Sequence, residues 1–141
     1  MVHGIAELLE ECSKIDKRYG RLKFLQDHSS QALKAVLGFC FDPKIKGLVP
    51  QEDPPFEPNK KSMDCQSVLI ADHRKLHIFV ESVEYHSLRQ LKREQLFIEF
   101  LESLDPDDAK LINAIKKKKM PYKGITKALV QDAFPKLAAD W

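Results

Sequence analysis

Apolar residues in this chain recur at three- and four-residue intervals, and nowhere do they alternate over a useful length. That spacing lines one face of a helix and leaves no half-buried strand to read. The expected fold class is therefore all-α. Ile5, Leu8, Leu9 and Cys12, at i, i+3, i+4 and i+7, predict a first helix, and a second covers about Lys17–Asp27, with Gly20 weakening its start. Ser29 or Ser30 can cap a third, which runs to Phe41 with Leu33, Val36, Leu37 and Cys40 on one face. Asp42-Pro43 ends it, because the residue before proline avoids the α region. A fourth helix is expected over about Asp64–Ser82, with Leu69, Leu76, Phe79, Val80 and Val83 as its stripe. A fifth covers about Leu88–Leu104 and turns Phe97, Phe100, Leu101 and Leu104 inward.

Asp105-Pro106-Asp107-Asp108 opens a sixth helix. Asp105 suits the N-cap, Pro106 the first helical position, and Asp107 and Asp108 the positive end of the dipole. That accounts for all three carboxylates without a catalytic role. The sixth helix runs to about Lys118, where four lysines complement the negative end, and Pro121 stops it. Gly124 opens a last short helix with Ile125, Ala128, Leu129 and Ala133 inward, ended by Pro135. At 141 residues the chain matches one domain on a scale of ~150 residues each, here a bundle of about six to seven helices. Between the third and fourth helices, a long connection over about 43–62 holds Pro43, Pro50, Pro54, Pro55 and Pro58. It is either a strap across the bundle or a functional loop.

Several function classes lose support at once. No apolar run approaches the ~20 residues that span a bilayer. The start, MVHGIAELLEECSK, lacks the basic region of a signal peptide, and Cys12, Cys40 and Cys65 form no C-x-x-C. A reduced, cytoplasmic protein is expected. There is no glycine-rich phosphate loop, G-x-S-x-G or H-E-x-x-H, so no enzyme or cofactor is read. His73-x-x-x-His77 would stack two imidazoles on an α-helix, as in some zinc sites. Arg74 replaces the usual Glu, and a third ligand could come only from Cys65, His86 or a distant acid, so packed or exposed histidines are the reading taken.

Charge is segregated along the chain. Met1 to Ala109 carries 15 Lys+Arg and 19 Asp+Glu, whereas Lys110 to Lys136 carries eight Lys and one acid, Asp132. Such a basic end favours an anionic partner. Within the helix-turn-helix-like segment at about 106–135, Lys116, Lys117, Lys118 and Lys119 precede the turn Pro121-Tyr122-Lys123-Gly124 and a helix start. Gly124 lets a backbone approach closely. The N–H groups of Ile125, Thr126 and Lys127 are placed to meet an anion, Thr126 adds a hydroxyl, and Lys123 and Lys127 add charge. Tyr122 could pack on a sugar or base. The bland alternative is a solvated helix end.

The order of these elements resembles the N-terminal DNA-binding domain of ATP-dependent DNA ligases, particularly those of T-even-type phages. The residues concerned are Phe97–Leu104, Asp107-Asp108-Ala109-Lys110-Leu111-Ile112, Lys116–Lys119, Tyr122-Lys123-Gly124-Ile125-Thr126-Lys127 and Phe134-Pro135-Lys136-Leu137. The opening is also similar, with a short helix at Ile5–Ile15, a basic helix at Arg21–Asp27, then Leu33-Lys34-Ala35-Val36-Leu37. The whole chain resembles a group of small tailed-phage proteins with no assigned activity. The ligase resemblance implies an all-α bundle that grips duplex DNA through phosphates and the minor groove. It implies contacts from Lys123, Gly124, Thr126 and Lys127, electrostatic support from Lys116–Lys119, and weaker roles for Arg21 and Lys23. The lysine-centred K-x-D-G adenylation motif is absent, so ligation is not expected, and the Pro-rich insert Val49–Lys61 departs from the pattern.

Two functions of different class follow. The first is a non-enzymatic module that binds double-stranded DNA with little sequence preference. With four to five phosphates neutralised, log affinity would fall with log salt at a slope of roughly −4. The second is a phage factor that binds a replication or transcription protein through the Pro-rich loop or the tail Leu137–Trp141. There Trp141 is either an exposed anchor or folded back on the bundle.

Overall fold

The computed structural model describes residues 4–49, 68–81, 85–139 and 141. Among them are seven α-helices: α1 (Ile5–Ser13), α2 (Arg18–Asp27), α3 (Gln31–Phe41), α4 (Val68–Asp72), α5 (Gln90–Ser103), α6 (Pro106–Ile115) and α7 (Lys127–Ala133). One 3₁₀ helix, His73–Phe79, follows α4, and the described residues contain no strand. The fold is all-α. No described helix is long and apolar enough to cross a membrane. The expected Pro-rich loop lies mostly outside the described residues, as do Cys65 and Val83.

Local chemistry sets several helix ends. The Ser30 hydroxyl accepts the Leu33 N–H at 3.1 Å and starts α3. The Asp105 carboxylate accepts the Asp107 N–H at 3.0 Å, with Pro106 in the first helical position of α6. α6 packs against α1, α3 and α5, and α2 packs against α7. Leu111, Ile112 and Ile115 of α6 are fully buried, each worth roughly 1.5–3 kcal/mol relative to exposure. The Gln26 amide donates to the Ala133 carbonyl at 3.0 Å, and Arg18 pairs with Asp132, so α2 and α7 are tied at two points.

The single helix expected over Asp64–Ser82 is not what forms. After the five residues of α4 the chain tightens into the 3₁₀ turn, and Val80 then extends to pair antiparallel with Gly47. Leu48 N–H donates to Phe79 O and Glu81 N–H to Lys46 O, both at 2.8 Å. Three residues per turn put Leu76 and Phe79 on one side, where both are buried. Phe79 meets Phe97 edge-on at 5.1 Å between ring centroids and Phe100 at 5.7 Å, which locks the turn to α5. Buried Arg93 completes the join: its guanidinium donates to Ile78 O, Gln90 Oε1 and Tyr85 O.

The three-residue turn also removes the geometric premise of a zinc pair. Residues four apart no longer share a face in a 3₁₀ helix, and His73 Nδ1 sits 2.9 Å from the Ile70 carbonyl. Among the described residues no group of three or more His, Cys, Asp or Glu could hold a metal ion. Trp141 is folded back: its ring lies 6.4 Å from that of Phe41, and it is half-buried against the core rather than free as an anchor.

Candidate nucleic-acid interface

The sequence places four lysines at the end of α6, and the structure divides them into two kinds. α6 stops at Ile115, earlier than expected, and closes in a Schellman turn. Lys119 N–H donates to Ala114 O at 3.3 Å and Lys118 N–H to Ile115 O at 2.8 Å. Lys118 occupies the left-handed position at φ +60°, where glycine is usual. Its ammonium compensates by reaching the end of α3, donating to Phe39 O at 2.7 Å and Asp42 O at 3.3 Å. Burial lowers the Lys118 pKa, opposed by Cys40 and Asp42. The same burial pushes the Cys40 thiol up to about 11. Lys118 is thus a strut between two helix ends, exposed but with its ammonium already engaged.

Lys116 is more deeply committed. It is only 2% exposed, and its ammonium stands 5.3 Å over the Phe97 ring. The expected electrostatic support from Lys116 is therefore corrected, because that side chain belongs to the core's edge, whereas Lys118 stays exposed with its ammonium engaged at the end of α3. Lys117 is half-buried, and Lys119 is exposed.

Beyond Pro121 the turn is built around a second left-handed residue, Gly124 at φ +83°. A Cβ there would stand 3.0 Å from Arg21 Nε, so the glycine serves both the backbone conformation and the packing of Arg21. The Arg21 guanidinium donates in turn to Ile15 O and Asp16 O, just beyond α1. Arg21 and Gly124, named separately in the sequence, are thus neighbours, but Arg21 is a staple between loops. Lys23 is exposed on α2. Tyr122 is half-buried against the core, and burial first, then Glu10, Asp107 and Asp108, push its hydroxyl up to about 12.

Thr126 takes a different role from the one expected. α7 begins at Lys127, and the Thr126 hydroxyl accepts the Leu129 N–H at 3.2 Å. It is an N-cap, and its O–H remains a donor at an exposed position. Thr126→Ala is expected to cost about 1 kcal/mol of stability, read as a lower denaturation midpoint. In this segment the side chains of Lys119, Lys123 and Lys127 are exposed and have no hydrogen-bond or ion-pair partner among the described residues, and the same holds for Lys23 on α2.

Sequence reasoning missed the role of Asp108. It is 1% exposed, and its Oδ1 accepts the Ala6 N–H at 2.8 Å, capping α1 from a helix 102 positions away. Gly4, the residue before α1, has no side chain to do so. Asp108 Oδ2 is buried with no hydrogen-bond partner. Burial pushes the Asp108 carboxyl up to about 7, with Asp105, Asp107 and Glu7 adding to the rise and the Ala6 hydrogen bond opposing it.

Neither the curated proteins nor the solved structures contain a match to this chain. Residues 8–122, ending just before Lys123 and Gly124, match a family of unknown function, DUF6433, and the chain belongs to that family.

Proposed function

We propose that the protein is a non-enzymatic module that binds double-stranded DNA through phosphate contacts from Lys119, Lys123 and Lys127. The observation that carries this reading is the exposure of these three lysines along one short segment whose path is held at both ends. The Schellman turn anchors it on one side, and the Gly124–Arg21 contact with the Thr126 cap anchors it on the other. A held segment presents its charges without the ordering cost that a loose tail would carry on binding. Phosphates carry no sequence information directly, so little sequence preference is expected.

The test is a simultaneous charge reversal of Lys119, Lys123 and Lys127 to Glu. Binding to a labelled duplex should be lost, while the thermal melt stays within about 2 °C of the parent, because all three side chains are exposed and make no hydrogen bond or ion pair among the described residues that the change would break. Retained binding in the folded variant would remove these residues from the interface.

A further inference from the structure

Between α3 and the 3₁₀ helix lies a cavity of about 590 Å³. That is within the range of small-molecule sites, roughly 300–1,000 Å³. Its walls are mainly apolar: Ala35, Gly38 and Phe39 from α3, Leu76 and Val80 from the opposite side, and Leu137 from the C-terminal turn. Its polar groups are mostly basic. Lys34 and Arg74 supply cations, His73 and His77 supply imidazoles, and Asp42 is the one acid among the described residues of the lining. The Asp42 carboxylate already accepts the Lys44 N–H at 2.9 Å. Among the described residues, Arg74 and His77 have no hydrogen-bond or ion-pair partner. Counting the imidazoles as neutral, two cations face one acid.

Gly38 adds an independent observation. It sits inside α3, outside the left-handed region. A Cβ there would meet nothing closer than Ile45 Cδ1 at 4.0 Å. Neither conformation nor packing requires glycine, although alanine would favour the helix. What the missing side chain does is open the cavity to the α3 backbone.

We propose that this cavity binds a small amphipathic carboxylate, its apolar body against Phe39, Leu76 and Leu137 and its head between Arg74 and Lys34. Apolar walls drive burial of the body, and the guanidinium fork orients the carboxylate. The site is separate from the lysines proposed to meet DNA, so each reading stands or falls alone.

Calorimetric titration with decanoate, decanol and acetate tests it. Decanoate should bind with one-to-one stoichiometry, at least about tenfold more tightly than decanol, with acetate silent; the charge-assisted contacts to the head set that ratio. Replacing Arg74 and Lys34 together by Gln should weaken decanoate about tenfold and leave decanol unchanged. Gly38→Leu should block both ligands, with a thermal melt confirming that the variant folds. The exposed Arg74→Gln change keeps the test valid should Gly38→Leu misfold. Equal affinity for decanoate and decanol, decanoate binding unaffected by the Arg74 and Lys34 changes, or no binding heat would each overturn the proposal.

Discussion

Lys116→Glu is expected to lower the melting temperature by about 10–20 °C, whereas Lys119→Glu leaves it within about 2 °C. The two residues lie three positions apart in one run of lysines, yet Lys116 is 2% exposed over Phe97 and Lys119 faces solvent. A carboxylate at 116 would be buried beside an aromatic face whose quadrupole repels it. Uncompensated buried charge costs roughly 3–5 kcal/mol. Lys116→Met keeps the packing of the aliphatic stem and buries no charge, so it should cost less than Lys116→Glu. A Lys116→Glu protein that melts like the parent would place that side chain at the surface. The practical consequence concerns binding assays. Reversing all four lysines at once would unfold the chain and be misread as loss of a DNA contact.

The second large effect is a stability that falls between about pH 4 and pH 7. The Asp108 carboxyl sits near 7 in the folded chain against an ordinary value of 3.8. Across that window the folded state holds a proton that the unfolded state has lost. Its contribution is fully present below about pH 4 and gone above pH 7. Three units at ~1.4 kcal/mol each set a ceiling of about 4 kcal/mol. The groups facing it are Asp105, Asp107 and Glu7, all acidic, and the Ala6 N–H, which opposes the shift. Asp108→Asn retains an acceptor for Ala6 and carries no charge, so it mimics the protonated form. Denaturant melts of parent and variant should agree to within about 1 kcal/mol at pH 4. At pH 8 they should favour the variant by a few kcal/mol. Taking the difference between the two proteins cancels the titration of carboxylates remote from Asp108, leaving that of Asp108 and the Asp105, Asp107 and Glu7 groups coupled to it. A variant less stable than the parent at pH 8 would mean that a charged Asp108 supports the start of α1 through its dipole.

What the sequence made readable was local. Ser30 is three residues from the N–H it caps, and Asp105 is two, so residue type and spacing placed the second start and narrowed the first to Ser29 or Ser30. The apolar stripes of α3 and α5 are buried as their periodicity implied, and that of α1 is too apart from half-buried Leu8, because a helical face needs no knowledge of its partner. The errors share a different cause. Val80 leaves the expected helix because Gly47, distant in sequence, offers backbone partners. Asp108 looked like an ordinary helix-start acid, yet its acceptor serves Ala6 across the bundle. Lysines at a helix end satisfy the dipole wherever they point, so that argument could not tell Lys116 and Lys118 from Lys119. Phe97 and Phe39 decide that, and both belong to other helices. Thr126 was named for its hydroxyl alone, and its spacing to Leu129 also fitted the N-cap that the structure shows.

The division of the basic segment can be measured directly. Fluorescence anisotropy of a labelled duplex, titrated with the protein at low and then rising salt, reports how many phosphates are neutralised. With Lys119, Lys123 and Lys127 engaged, log affinity falls against log salt with a slope of about −3, shallower than the roughly −4 expected if the whole run took part. No binding at low salt, or binding that does not weaken with salt, would contradict the account.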